Sequence, residues 1–568
     1  MGTMTQQVKT EKLRPVAGLT PYSGVFGKEQ IIHLLKRTMF GAKRSDIAFF
    51  QGKTLNEVVD ILTTEPPALT DDKMPLKSYA DPTNPPLTDN LTIGQTWVFA
   101  PENGNFNGQR RNSLKQWWGS QMLNQTRSVF EKMVLFWHNH FATEVVDTTP
   151  HMFFEHLMLL RSRALGNFKL LTKDITYDVC MLRYLNGYLN RKSAPDENYA
   201  REFFELFTLG KGPNSRYTED DVKAAAKLLT GWNNISRPVD ATTGKYRYQV
   251  AFNAANHDTS NKQFSAFFGS RLIPGGAATE TVARREIDDL LDMTFAINEV
   301  SLHLCRKIYR YFVYYDIDAT IEADVIAPMA EIFRQSNYEI KPVLKALFKS
   351  DHFFEVAQKA CFIKTPIDYC VGFAREFDLA FPTVTAATIT TDVPAFYNAL
   401  EVIIGSTNNG AAVQAQNIGD PPNVSGWPAY YQEPVFHEAW INTDTFPKRL
   451  RYSDAMLNTA NGVAIRGTTK FLKVNSVTYT DAFGPDISDP NKLIDMALEA
   501  LYRVPPTTAM RNYLKTNILL GGQASDHYWT DAWNAYKANP TTANFNVVNT
   551  RLQQFYQFIV RNPEYQLS

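Results

Sequence analysis

Residues 112–141 read NSLKQWWGSQMLNQTRSVFEKMVLFWHNHF. Leu114, Trp117, Trp118 and Met122, then Val129, Met133, Phe136 and Trp137, recur at three- and four-residue intervals. That spacing lines one face of an α-helix. The same period runs through Gln30–Phe40, stopped by Gly41, and through helices opening at Ser45 and Thr54. It returns over 151–191, 196–209, 218–231, 280–315, 321–335, 341–349 and 366–377, and four times over 490–562. Thr218 with Asp221 three residues on resembles a capping box with Asp in place of Glu. Alternating patterns are scarce. YRYQVAF at 246–252, after a turn at Thr243–Gly244, reads as a strand. Residues 64–108, 233–276 and 405–445 read as long irregular loops, and 466–488 as extended and polar. These patterns predict a mainly α fold: a large multi-helix body with long irregular loops and a small amount of β. The expected organisation is a polar arm over 1–27, a helical body over 28–460 and a C-terminal helical segment over 461–568, packed on the body.

The composition narrows the function classes. Of 568 residues, 44% are hydrophobic and 20% charged, enough apolar surface for a core and too much for bulk disorder. Lys+Arg and Asp+Glu both number 58, so no global basic field draws the chain to nucleic acid or anionic lipid. Cys180, Cys305, Cys361 and Cys370 are too scattered for a disulfide framework and form no CxxC pair, although Cys361 and Cys370 could join. Met1–Arg14 lacks the apolar stretch of a signal peptide, and no run is apolar enough to span a membrane. As it stands the chain is expected in the cytoplasm, or exported if a leader has been removed.

Four motifs carry candidate chemistry. In FWHNHF, His138 and His140 flank Asn139. Paired imidazoles suit a divalent metal, but positions i and i+2 of a helix lie about 200° apart, so both face one ion only if the helix ends there. In DENYAREFFEL, Glu197, Arg201 and Glu205 form an i, i+4, i+8 charge ladder, with Asn198 and Glu202 on a second stripe. Glu202 and Glu205 together could divide acid and base roles. Asn256-His257-Asp258, followed by Lys262, sets an imidazole beside a carboxylate on an irregular segment. In DPPNVSGWP, prolines and Gly426 shape a loop that presents Trp427. Each motif also has a plain structural reading: a packed core imidazole, an exposed charge ladder, a polar turn, a buried loop staple. P-loop, dinucleotide-binding, zincin, nucleophile-elbow and EF-hand signatures are absent.

These blocks in this order resemble the bacterial family DUF1800. The resemblance rests on HLLKRTMFG (33–41), KMVLFWHNHF (132–141), MLRYLNG (181–187), DENYAREFFELFTLG (196–210) and YTEDDVKAAAKLLTGW (217–232). It continues through the HD…K…G segment (257–269), RKIYRYFV (306–313), PPNVSGW (421–427) and PEYQLS (563–568). The N-terminal block and the ending resemble its Bacteroidetes branch. The resemblance implies no defined reaction. It implies a large bacterial protein, often exported, frequently encoded beside a sulfatase-like partner of the family DUF1501. Two departures stand out. Members carry ELHTLG where this chain has Phe207, which removes a third imidazole, and Asn-Glu-Asn where it has Asp196-Glu197-Asn198.

Two functions compete. The first is an enzyme of hydrolytic type, with a polar or metal-assisted site built from His138, His140, Glu202, Glu205 and His257 and supported by His33. The second is a non-catalytic binding or assembly protein whose polar motifs are buried structural networks. Tyr199, Phe203, Leu206 and Phe207 need a partner face that Phe136, Trp137 and Phe141 offer. The Asp196–Leu209 helix is therefore expected beside the end of the His138/His140 helix, with Glu202 or Glu205 turned towards an imidazole.

Overall fold

The expected helices form, with boundaries set by local caps. Thr54 opens Leu55–Leu62, accepting the Glu57 N–H while Glu57 accepts the Thr54 N–H. Thr218 and Asp221 make the same reciprocal box at Glu219–Leu228. The second Asp221 oxygen accepts the Ser265 N–H at 2.7 Å, tying the 233–276 segment to that helix. The computed structural model describes residues 18–458 and 461–568, so the first seventeen residues of the expected arm lie outside the described residues. The described part of that arm is docked, with Tyr22 N–H donating to Lys349 O at 2.8 Å.

Buried apolar side chains form one contiguous core from Ile31 to Tyr565. The Phe130–His140 helix crosses it, packed on Pro150–Ser162. Trp137, fully buried, stacks on Phe168 at 5.5 Å and donates its indole N–H to Ala164 O at 3.0 Å. Burial of one such side chain contributes about 3 kcal/mol. At the other end of the chain, the Thr542–Arg561 helix packs on Thr445–Leu457, and Tyr556 meets Phe377 at 5.6 Å. The last residues pair with 362–364: Lys364 N–H donates to Gln566 O and Ser568 N–H to Phe362 O. Beneath them Glu376 holds both Lys36 and the Tyr565 hydroxyl.

Three expectations change. The periodic run 112–141 is two helices, Asn107–Leu123 and Phe130–His140. Ser128 and Val129 break it by bonding the end of the Leu55–Leu62 helix: Ser128 Oγ donates to Thr64 O at 2.6 Å and Val129 N–H to Leu62 O at 2.8 Å. The strand at 246–252 shrinks to Gln249–Ala251, paired antiparallel with Asn234–Ser236, because Tyr246 N–H is taken by Phe99 O at 3.1 Å. Residues 466–488 are not all extended. Asn475 caps a short helix, Ser476–Asp481, whose Tyr479 is buried against Phe377 and Tyr556. Among the described residues the other paired strands are two two-residue antiparallel pairs, beside isolated bridges. All four cysteines are free, Cys361 and Cys370 included. No helix among the described residues is long and apolar enough to cross a membrane.

Candidate functional site

Three consecutive residues of the WHNH motif point three ways, as the 100° step of a helix requires. His138 is sealed among the rings of Trp118, Phe153 and Trp427, with centroids 5.2, 5.4 and 5.6 Å away. Neither of its ring nitrogens has a hydrogen-bond partner. Burial holds its pKa well below the usual histidine range, so the ring is neutral. Asn139 Oδ1 accepts the Trp427 N–H at 2.9 Å and so fastens the PPNVSGW loop to the helix. Gly426 makes that approach possible: its φ is +85° and a Cβ there would lie 2.2 Å from Asn139 Oδ1.

His140 faces a different neighbour. Its Nε2 is 3.1 Å from Phe207 O and its Nδ1 3.1 Å from Lys307 Nζ. A carbonyl only accepts, so Nε2 carries the proton and Nδ1 accepts from Lys307. Burial, then the nearby Lys307 charge, pushes the His140 pKa well down.

The 196–209 helix does pack here. Phe207 meets Phe141 at 5.0 Å and His140 at 6.2 Å, so an apolar ring stands beside His140. The segment is α only over Asn198–Glu202. Over Phe203–Thr208 it opens into a π turn, a local widening often found at functional sites. Glu205 pairs with Lys211. Half-buried Glu202 has one carboxyl oxygen without a partner, and burial, reinforced by Glu205, raises its pKa. Neither carboxylate bonds His138 or His140 among the described residues. The charge ladder forms only in part: Arg201 bonds Glu197 at 3.0 Å but sends both terminal nitrogens to Glu219 at 2.7 Å. Asn198 is exposed at the helix start.

The remaining sequence candidates lie apart. His33 packs on Phe353 and sits 3.0 Å from its carbonyl. His257, Lys262 and Glu286 form a sealed network. Lys262 donates to Glu286 at 2.8 Å and to Asp258 O at 2.7 Å, while His257 Nδ1 donates to Thr230 O at 2.9 Å. Asp258 turns to Ser260. No group of three or more His, Cys, Asp or Glu side chains able to hold a metal occurs among the described residues. Among the described residues His138 has no hydrogen-bond partner, and both His140 nitrogens are engaged. These donors do not fit a divalent metal.

What opens beside His140 is a cleft of about 470 Å³, within the range of small-molecule sites. One wall is a face of the Asn298–Phe312 helix, where His303, Arg306, Lys307 and Arg310 follow the i, i+3, i+4, i+7 pattern. The π turn supplies Glu205 and Leu206, and the loop after PPNVSGW supplies Tyr430, Tyr431 and Glu433. Gly210 closes the floor. Its φ is +79°, and a Cβ would meet His303 Nδ1 at 2.4 Å. Lys307, half-buried, donates to His140 Nδ1 and to Leu206 O at 3.2 Å and pairs with no carboxylate among the described residues. Burial, helped by the Arg310 charge, lowers its pKa to about 7. Sequence reasoning missed Lys307, His303 and Arg310. Their signal was the spacing of the basic residues around RKIYR, which equally describes a solvated helix face. A wider groove of about 600 Å³ near Lys43 holds charges already satisfied, since Arg127 and Arg375 both pair with Asp46.

No curated protein and no solved structure matches the chain. Residues 33–567 match the family described as "Protein of unknown function (DUF1800)". That span takes in the WHNH junction, the π turn and the cationic wall of the cleft, and the chain belongs to the DUF1800 family.

Proposed function

We propose that the protein is an enzyme of hydrolytic type whose centre is the cleft over Lys307. The observation that carries this reading is the Lys307 amine, which opens on a ligand-sized cavity without a carboxylate to hold it charged. An amine with a pKa of about 7 is substantially unprotonated at neutral pH and can take a proton from water as that water attacks a substrate. The new ammonium is then stabilised by two acceptors already in place, His140 Nδ1 and Leu206 O. His140 is a positioning residue, fixed in its tautomer by Phe207 O. Glu205 is the carboxylate at the rim. The test is a panel of chromogenic carboxylic, phosphate and sulfate esters. Wild type is expected to turn over at least one, Lys307→Met to lose about 100-fold or more, and Lys307→Arg, which keeps charge but is no base, to fail as rescue. Turnover undiminished in Lys307→Met contradicts the reading.

A second reading is favoured by a specific observation: His138 and His257 are sealed inside the core, as structural groups would be. On that reading the protein binds or assembles, with a sulfatase-like DUF1501 protein as partner. Wild type inert on the whole panel but retained on the immobilised partner would favour it.

A further inference from the structure

The chain neutralises the cations around the cleft selectively. Arg306 is held by Glu299 and by Glu322, each at 2.6 Å, and Lys211 is held by Glu205. Arg310, one turn beyond Lys307 on the same helix face, is treated differently. Among the described residues its one hydrogen bond is Nε–H to Tyr315 O at 3.2 Å, and its guanidinium lies 5.0 Å from the Phe436 ring centre. No carboxylate among the described residues forms an ion pair with it. Glu433 lines the same cleft without coming that close. A half-buried guanidinium left unpaired is costly unless something else supplies the negative charge. Its two terminal nitrogens form the fork that matches a planar or tetrahedral oxyanion.

We infer that Arg310 anchors an oxyanion group of the substrate, a carboxylate or a phosphate or sulfate ester, inside the cleft. This rests on the cleft being the functional centre, and it names the substrate class. Residues 307 and 310 are separated by about 4.5 Å of helix rise. An anion on Arg310 therefore places the neighbouring bond of the same small molecule over the Lys307 amine. Tyr430 and Tyr431 on the facing wall provide aromatic surface for the rest of it. Burial lowers the Arg310 pKa, against the opposing pull of Glu433, Glu322 and Asp316, which lie near it without forming an ion pair with it.

Isothermal titration of the full chain with inorganic phosphate, sulfate and acetate, at about 0.15 M ionic strength, tests this. Wild type should bind at least one of them saturably. Arg310→Gln should weaken that binding at least about tenfold, and Arg310→Lys should restore part of it. Arg511→Gln, which removes an arginine outside the cleft, should change nothing. If no anion binds wild type saturably, or if Arg310→Gln and Arg310→Lys both bind as wild type does, the inference is overturned. Its failure is distinct from that of the hydrolase reading. Anion binding lost with Arg310→Gln in a protein that turns nothing over sustains the anchor and removes the enzyme. Turnover of an anionic ester untouched by Arg310→Gln, with no saturable anion binding, does the reverse.

Discussion

Glu286→Ala is expected to lower the stability of the protein by about 3–5 kcal/mol, the cost of removing one member of a buried ion pair. Glu286 and Lys262 are both sealed from solvent and joined at 2.8 Å, and His257 Nε2 is 3.6 Å from the same carboxylate. Loss of the carboxylate leaves a buried ammonium with the Asp258 carbonyl at 2.7 Å and the more distant Asp258 carboxylate at 3.8 Å. Paired removal should behave differently. Lys262→Met with Glu286→Leu eliminates both desolvated charges, and exchanges of that kind are often neutral or stabilising. Calorimetric melting of the single and double variants checks this. A single variant that melts with wild type would mean that the network contributes nothing and that His257 is free for another role.

The second large effect is acid lability. Burial depresses the pKa of His33, His138 and His140 well below the usual range, of His151 to about 2 and of His437 to about 4. In the unfolded chain these rings protonate near pH 6.5. Below that pH the unfolded state binds protons that the folded state refuses, so stability is full above 6.5 and falls as the pH drops towards the folded values. Each such group costs about 1.4 kcal/mol per pH unit. Five of them together erode a typical net stability of roughly 5–15 kcal/mol within one to two units. Lys36, lowered to about 8, and Lys364, lowered to about 7, act with the same sign at higher pH. Circular dichroism should show cooperative acid unfolding that begins below about pH 6.5 and is largely complete near pH 5. A signal and melting temperature unchanged from about pH 7.5 to 4.5 would refute it.

The mainly helical class was legible because amphipathic period and caps act locally. The Thr218–Asp221 box and the four helices of 490–562 are settled by residues within one turn of each other. Breaks imposed from a distance were not legible. Ser128 interrupts the periodic run because it meets carbonyls of residues 62 and 64. The π turn at Phe203–Thr208 shifts hydrogen-bond register without altering the apolar pattern, so the sequence reads it as plain helix. The divergence of His138 and His140 followed from helix geometry alone. What each one meets did not, because Trp427 and Lys307 arrive from segments 289 and 167 residues away. Lys307 itself looks like an ordinary surface lysine in RKIYR. Only the packing of His140, Leu206 and the Tyr430 loop around it makes it a half-buried amine in a cleft.

The central claim is that the Lys307 amine titrates near neutral pH, so that a substantial fraction of it is uncharged there. Trace labelling of the folded protein with acetic anhydride, from about pH 5.5 to 10.5, reads this directly when the Lys307 peptide is quantified by mass spectrometry. The account predicts a reactivity midpoint for Lys307 at about 7, with exposed lysines of the same sample titrating near 10.4. A Lys307 midpoint alongside the exposed lysines would contradict it.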